Sequence, residues 1–495
     1  MHDPAVGQSA RRLDWLGISG WILGLAIIAA AHAPSLHYGF LAWDDDLHVT
    51  RNPAVLSPSS VPLRQWLLTP SLGYPIPVTI ASFALQAKLL GLSAWHFHLV
   101  NILLHLANCA SLALLGRWLG LGRAGAWSAM LLFGLHPVVA EPVSWVTGRK
   151  DLLSTLLALW AVLLAWPPSA AARRSAALLC FALGLLAKPA IAPVCILVWL
   201  AQLWFAPAAA SSRIRAPGWA RQAFGVLAPY VLIAIPIACL ALLGQQAVGA
   251  IGGADRAGAS LARSAWYALG HHLRLLLGLE EPTAKYLPQP WPPGFVPMVD
   301  LLPFVAVAAF WACRHTLPRS ARSALRFAGC WMGLMYLPSS NLLPLARYLA
   351  DSYVYLPLVG AAWWFGLLVD GLLHTLPERE SVRARVLALL PALLVAALCL
   401  PAFSRSQARF ADDEQLWSHA LARFPHPRVC RQWANGVAYV HGAEPGLEAT
   451  ERCIAQFGDS LFVRNKAVLL TRLGRDSEAR AWLEHAGAKL HGVTP

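Results

Sequence analysis

The chain has 495 residues, of which 57% are hydrophobic and only 13% charged, far beyond the apolar content of an ordinary soluble domain. That excludes a simple water-soluble globule and points to a polytopic membrane protein. The formal charge of +14 does not indicate a nucleic-acid partner, because the basic residues are spread over short loops between apolar runs.

In chain order, the first apolar run is Trp15 to Ala33, preceded by Arg11 and Arg12. Ala31-His32-Ala33 resembles a small-residue cleavage site, but Pro34 directly after it disfavours cleavage, and the run is long enough to span. It reads as a retained signal anchor. Residues 35–95 form a long Pro-containing outer loop whose amphipathic pieces, Leu63 to Leu68 and Thr79 to Leu90, suit helices lying in the membrane interface. Trp43, Trp66 and Trp95 would rest there at headgroup depth.

Leu152 to Trp166, Ala190 to Phe205, Phe224 to Leu243, Val299 to Cys313, Phe327 to Leu345, Val354 to Leu373 and Val386 to Phe403 each approach the length that crosses about 30 Å of hydrocarbon. The expected total is about eleven spans. Between them, Arg117 with Arg123, Arg173 with Arg174, Arg213 with Arg215 and Arg221, Arg314 with Arg319, Arg322 and Arg326, and Arg379 with Arg383 and Arg385 occupy alternate loops. The positive-inside rule makes those loops and the N-terminus cytoplasmic, and puts the intervening loops and everything after Phe403 outside. A second outer region, 245–297, holds Leu261 to Leu279, whose Arg263, His271, His272 and Arg274 argue against a full crossing, and a Pro-rich stretch from Pro288 to Pro293.

The expected organisation is a membrane domain over residues 1–403 and an extracytoplasmic helical domain over 404–495, where charges become frequent and the apolar spacing turns amphipathic. Leu473-Gly474-Arg475 with Glu478-Ala479-Arg480-Ala481-Trp482-Leu483 resembles the turn and second helix of a tetratricopeptide repeat, with a weaker copy from His441 to Ala449. A plain helical hairpin is the bland alternative. Most cysteines sit in apolar runs without metal-type spacing; Cys430 and Cys453 fall in the tail, where an oxidising compartment would allow them to pair.

Four outer clusters carry the candidate chemistry. Trp43-Asp44-Asp45-Asp46 places three carboxylates beside the first span, where they need water, a cation or a substrate. His136-Pro137-Val138-Val139-Ala140-Glu141-Pro142-Val143-Ser144-Trp145-Val146-Thr147-Gly148-Arg149-Lys150-Asp151 is the second. The third is Tyr286-Leu287-Pro288, and the fourth runs from Asn341 through Arg347, Asp351 and Tyr353 to Pro357. His96, His98 and His105 share one apolar segment and read as hydrogen-bonded bundle histidines more readily than as metal ligands.

The acidic cluster, the segment Trp95 to His105 and the His-Pro, Glu-Pro-Val-Ser-Trp, Gly-Arg-Lys-Asp block together resemble the transmembrane and tetratricopeptide-repeat-containing O-mannosyltransferases and their bacterial relatives, of the GT-C glycosyltransferase superfamily. The resemblance implies an all-α membrane helix bundle and an inverting hexosyltransferase. Such an enzyme moves a monosaccharide, mannose in the relatives, from a polyprenyl-phosphate donor to a hydroxyl acceptor on the non-cytoplasmic face, in bacteria at the inner membrane. The acceptor would be a protein Ser/Thr or a glycan, reached through the repeat-like tail. Two departures stand out. Tyr74-Pro75-Ile76-Pro77 replaces the usual Tyr-Arg-Pro, and Ala350-Asp351-Ser352-Tyr353 keeps an acid but loses a base.

A lipid phosphate leaves readily, so one base and one or two cations suffice. Asp44 or Asp45 is the expected base, Asp44 first because relatives start their acidic pair directly after the aromatic residue. Alternatively Asp44, Asp45 and Asp46 hold a divalent cation, or the acids cap a helix. Arg149, Lys150 and Arg347 are the expected phosphate ligands, although headgroup-level ion pairing is a simpler role. Glu141, His136 and Asp351 would orient the acceptor. A membrane transporter, with Lys188-Pro189 as a helix break, and a non-catalytic repeat scaffold are the competing classes.

Overall fold

A computed structural model describes residues 15–68, 73–166, 171–205, 219–247, 261–286, 301–305, 321–342, 347–374 and 382–489, with a few isolated positions besides. Among the described residues the chain is helical and has no strand, as hydrocarbon demands of a chain that must satisfy its backbone within each segment. The membrane part comprises α1 (Trp15–His32), α2 (Pro77–Leu90), α3 (Ala94–Trp118), α4 (Arg123–Leu135), α5 (Arg149–Leu164), α6 (Ala171–Ala187), α7 (Val194–Phe205), α8 (Trp219–Ala247), α9 (Leu261–Leu276), α10 (Arg322–Tyr336), α11 (Tyr355–His374) and α12 (Val382–Ala408). The tail follows as α13 (Asp413–Arg423), α14 (Pro427–His441), α15 (Ala443–Phe457), α16 (Val463–Arg472) and α17 (Asp476–Lys489).

Five helical segments among the described residues are long and apolar enough to cross a membrane, and a sixth if α4 and the helical piece bent from it by 52° count as one span. The expected count of about eleven is not reached there, in part because the expected span Ala190 to Phe205 folds as a helix shorter than a full crossing. The expected span from Val299 to Cys313 and the Pro-rich stretch from Pro288 to Pro293 lie largely or wholly outside the described residues. So do Arg11, Arg12, Arg213, Arg215, Arg314, Arg319 and Arg379.

The bundle packs through close approaches of backbone. A methyl group on Gly125 would lie 2.4 Å from the Gly366 carbonyl oxygen, and one on Gly366 the same distance from that of Gly125. Helices α4 and α11 therefore cross where neither carries a side chain, the small-residue contact that suits membrane helices. Several polar groups inside are matched: the Trp331 and Trp363 indoles donate to the carbonyls of Leu356 and Leu112, each at 2.9 Å. His105 contacts the Tyr355 hydroxyl at 2.8 Å and the Gly134 carbonyl at 3.2 Å, and His98 contacts the Gly39 carbonyl. Each such bond removes the desolvation cost of a buried polar atom.

Helix α12 carries the chain past the expected boundary at Phe403 to Ala408. Phe410, Leu416, Trp417 and Ala420 then join the main core of the bundle. Val429 of α14 joins it as well, and the rest of the tail builds two small cores, one around Ala434, Ala449 and Phe462 and one around Leu447, Leu470 and Ala479. Gly442, Gly458 and Gly474 end its helices at positive φ, at equal intervals, as expected of a run of short antiparallel helices stopped by left-handed caps. Cys430 and Cys453 are joined by a disulfide that ties α14 to α15.

Candidate active site

The site is assembled by two loops that fold onto each other. Helix α4 ends at His136, whose side chain accepts from the Val138 amide at 3.4 Å. Pro137 forbids continuation, and short turns lead through Ala140–Ser144 and Val146–Gly148 into α5. Gly148 permits this path, since a methyl group there would lie 2.4 Å from the Pro142 carbonyl oxygen. From α3, Asn101 reaches into the loop and donates to the carbonyls of Trp145 and Val146 at 3.1 and 3.2 Å, while its oxygen accepts from Arg149 Nε at 2.9 Å.

The acidic loop docks against this frame through its middle carboxylate. Asp45 is fully buried; Oδ1 accepts from the Thr147 amide at 2.9 Å and its hydroxyl at 2.7 Å, and Oδ2 accepts from the Leu41 amide at 2.9 Å. Burial pushes its carboxyl up to about 7, against the pull of those donors. Trp145 Nε1 donates to the Trp43 carbonyl at 2.8 Å, and the two indoles stack with centroids 4.5 Å apart and planes 9° from parallel.

Asp44, between them, differs. It has φ of +71°, a left-handed conformation that Asp adopts more readily than most residues. No hydrogen bond to its carboxylate is found among the described residues, and its electrostatic neighbours are Lys150, Arg347 and Asp46. Burial raises its pKa above the ordinary 3.8, with Lys150 and Arg347 opposing. Lys150 lies 4.4 Å over the Trp145 ring and Arg347 4.8 Å over that of Trp43, so each stacked indole carries a cation. The acid that follows the aromatic residue thus faces two positive charges brought from α5 and from the loop before α11.

Arg347 is anchored by a two-pronged pair with Glu141 at 2.6 and 3.0 Å and by the Ala284 carbonyl at 2.8 Å. Its Nε is buried without a partner. Asp351 is also buried and accepts from the Tyr286 hydroxyl at 2.5 Å. Leu287, Pro288, Leu343 and Pro344, from the same sequence clusters, lie outside the described residues.

Three expectations change. Arg149 is turned into the packing: it is fully buried, bonded to Asn101 through Nε and to the Phe97 carbonyl at 3.0 Å through Nη2, with its guanidinium 4.5 Å from the Phe83 ring centroid, and its Nη1 has no hydrogen-bond partner among the described residues. As the first residue of α5 it turns back into the packing, and Lys150, one step on, turns outward. His136 caps its own turn and contacts the Leu276 carbonyl at 3.2 Å, which fixes it as a strut between α4 and α9. Among the described residues no three or more acids, histidines or cysteines converge as a metal would require, and both oxygens of Asp45 are already engaged, so the Asp44 to Asp46 run does not fit a divalent cation.

Lys188 is the residue whose place here sequence reasoning missed. It is buried and pairs with Asp151 at 2.5 Å, and it lies in the electrostatic neighbourhood of Lys150 and Tyr353. The signal was present as a lysine inside an apolar run, next to a proline that was reason enough for a break.

No family model matches the chain. Parts of it are similar to membrane O-mannosyltransferases. Protein O-mannosyl-transferase TMTC1 of Mus musculus is 36% identical over 88 residues, 18% of this chain and 9% of that protein. The tmtc2 protein of Xenopus laevis is 39% identical over 89 residues, 18% and 10%, and Tmtc1 of Drosophila melanogaster is 28% identical over 170 residues, 32% and 19%. The resemblance read from the motifs is thus shown over a segment, and the chain spans about a tenth to a fifth of the length of these curated relatives. Two solved structures are loosely similar over most of the chain. ArnT from Cupriavidus metallidurans bound to undecaprenyl phosphate is 16% identical with a TM-score of 0.42, covering 90% of this chain and 80% of that one. The Archaeoglobus fulgidus oligosaccharyltransferase tethered to an acceptor peptide is 15% identical with a TM-score of 0.45, covering 89% and 59%.

Proposed function

We propose that this protein is an integral-membrane, inverting glycosyltransferase of the GT-C type that moves a monosaccharide, mannose by analogy with the relatives, from a polyprenyl-phosphate carrier to a hydroxyl acceptor. The observation that carries the reading is the facing of Asp44, whose carboxylate has no hydrogen bond among the described residues, by Lys150 and Arg347. Asp44, rather than the fully engaged Asp45, takes the proton of the acceptor hydroxyl. The freed oxygen forms a bond to the anomeric carbon as the bond from that carbon to the phosphate oxygen breaks, and the phosphate keeps the electron pair. Lys150, Lys188 and the partnerless Nε of Arg347 supply positive charge toward the phosphate, whose negative charge grows in the transition state. Glu141 and Asp351 hold Arg347 and Tyr286 in place.

In this reading the N-terminus is cytoplasmic, and the site and the 404–495 tail face the outside. The Cys430–Cys453 disulfide supports that orientation, since such bonds persist in oxidising compartments. The acceptor is a protein Ser/Thr or a glycan that the helical tail helps to present. The test compares glycan profiles of envelope proteins and lipids from cells carrying the unaltered protein or Asp44→Asn at equal abundance. Loss of one glycoform is expected; identical profiles would remove the enzyme and favour a scaffold.

A further inference from the structure

The first helix of the tail is built into the wall of this site. Asp413 Oδ2 accepts from the Ala42 amide at 2.8 Å, across 371 residues of sequence. The Ala411 carbonyl accepts from the Gly39 amide at 3.4 Å. Trp417, one turn along α13, meets the Trp43 ring edge to face with centroids 5.6 Å apart. The acidic loop is therefore held on one side by Thr147 and Trp145 and on the other by α13. Phe410, Leu416, Trp417 and Ala420 bury into the main core, which fixes α13 to the bundle, and Val429 of α14 joins the same core. The pair Asp412 and Gln415 closes its N-terminus at 2.8 Å, so Asp413 is presented from a capped, ordered turn.

We infer that Asp413 and Trp417 are positioning residues, which fix the backbone of residues 39–44 and so the left-handed turn that aims the Asp44 carboxylate. Neither touches the reacting atoms. The Asp413 bond holds the amide of Ala42, two residues before the base, and the Trp417 ring holds the Trp43 indole against Trp145, which keeps Lys150 and Arg347 over their rings. The tail thereby becomes part of the catalytic apparatus, not an appendage. This rests on the transferase reading above, in which aim governs rate: a base displaced by about 1 Å costs up to about a hundredfold.

The experiment uses the full-length protein in membranes that carry its native acceptors, with labelled mannosyl-phosphoryl-undecaprenol as donor, together with amide hydrogen exchange of the purified protein. Asp413→Ala and Trp417→Ala should each lower the maximal rate of label incorporation by about tenfold, leave the apparent KM for the donor within about twofold, and speed exchange in residues 38–47. Asp413→Asn retains a carbonyl oxygen for the Ala42 amide and should restore most of the rate and the protection. Full rate in both alanine variants, or lost rate without faster exchange in that segment, or an asparagine variant as slow as the alanine one, overturns the positioning role. Absence of incorporation by the unaltered protein overturns the transferase reading itself, and this inference with it.

Discussion

Asp44 and Asp45 are neighbours in sequence and opposites in the fold. Asp45 is dry, accepts three hydrogen bonds and joins two loops; Asp44 sits in a left-handed turn, finds no such donors and faces cations. A related division recurs across the site, where Arg149 is bonded through Nε and Nη2 and enclosed between Phe83 and Phe97, only its Nη1 lacking a hydrogen bond among the described residues, while Lys150 turns out over Trp145. A buried charge whose lone pairs or protons are mostly answered holds a structure together, and one left largely unanswered is held ready for a ligand. In each pair the second role requires the first, because the strut residue fixes the backbone from which its neighbour projects.

The largest effect should come from breaking this division at Asp44. Asp44→Asn and Asp44→Gly both suit a φ of +71°, so folding should be unchanged while transfer falls by about 10²–10⁴, the range for removal of a general base. Because burial raises the pKa of Asp44 above 3.8 and the base acts only when deprotonated, the rate should drop as pH falls through a midpoint above that value. A pH–rate profile of donor turnover checks it, and an acid limb that persists in Asp44→Asn would reassign the base.

The next contrast is between the two basic neighbours. Lys150→Ala should lower transfer by about tenfold or more through lost phosphate compensation, with thermal stability little changed. Arg149→Ala should do the reverse at first order: it leaves the Asn101 oxygen and the Phe97 carbonyl without their donor and destabilises by about 2 kcal/mol or more, and transfer should return at low temperature in proportion to the folded fraction. Paired melting and turnover measurements separate the two, and a stable but inactive Arg149→Ala would show that this arginine meets substrate after all.

The all-helical membrane bundle was readable from apolar run lengths, and the loops that form the site from their clustered charges. The partition of roles within those loops was not. Whether Asp44 or Asp45 meets the Thr147 donors, and whether Arg149 or Lys150 turns inward, depends on the path that Gly148 and Asn101 impose, a three-dimensional fact with no periodic signature. Lys188 was visible as a break in an apolar run, but its partner Asp151 lies on another helix, and nothing local announces the pair. The span count suffered from the same cause: Pro137 bends one apolar stretch by 52°, so run length alone misjudges crossings.

A smaller effect should follow from weakening the strut and leaving the base intact. Thr147→Val preserves shape and removes one of three donors to Asp45, at about 1.5–3 kcal/mol for a bond to a charged group. The sign with pH follows from linkage. The folded carboxyl is raised from 3.8 to about 7, so its contribution to stability is complete below about 3.8 and is lost as pH climbs through about 7. Taking away a donor to the anion deepens that loss, so the gap between variant and parent should widen from pH 5 to pH 8. A gap that stays constant instead would mean that Asp45 stays protonated across the range.

The smallest effect on the site is expected from Cys430→Ser. Removing a disulfide that closes a loop of this size costs about 3 kcal/mol in the chain-entropy picture, but the cost falls first on α14 and α15, whose core around Ala434, Ala449 and Phe462 meets that of the bundle only through Val429, Trp433 and Leu421. Helix α13 keeps its own anchors, Phe410, Leu416 and Trp417, in the main core. Limited proteolysis should therefore cut the variant faster after α13 while transfer to a small hydroxyl acceptor stays within about twofold. Loss of that transfer along with the tail would place the boundary of the catalytic unit beyond α13 and make the repeat-like helices part of the frame that aims Asp44.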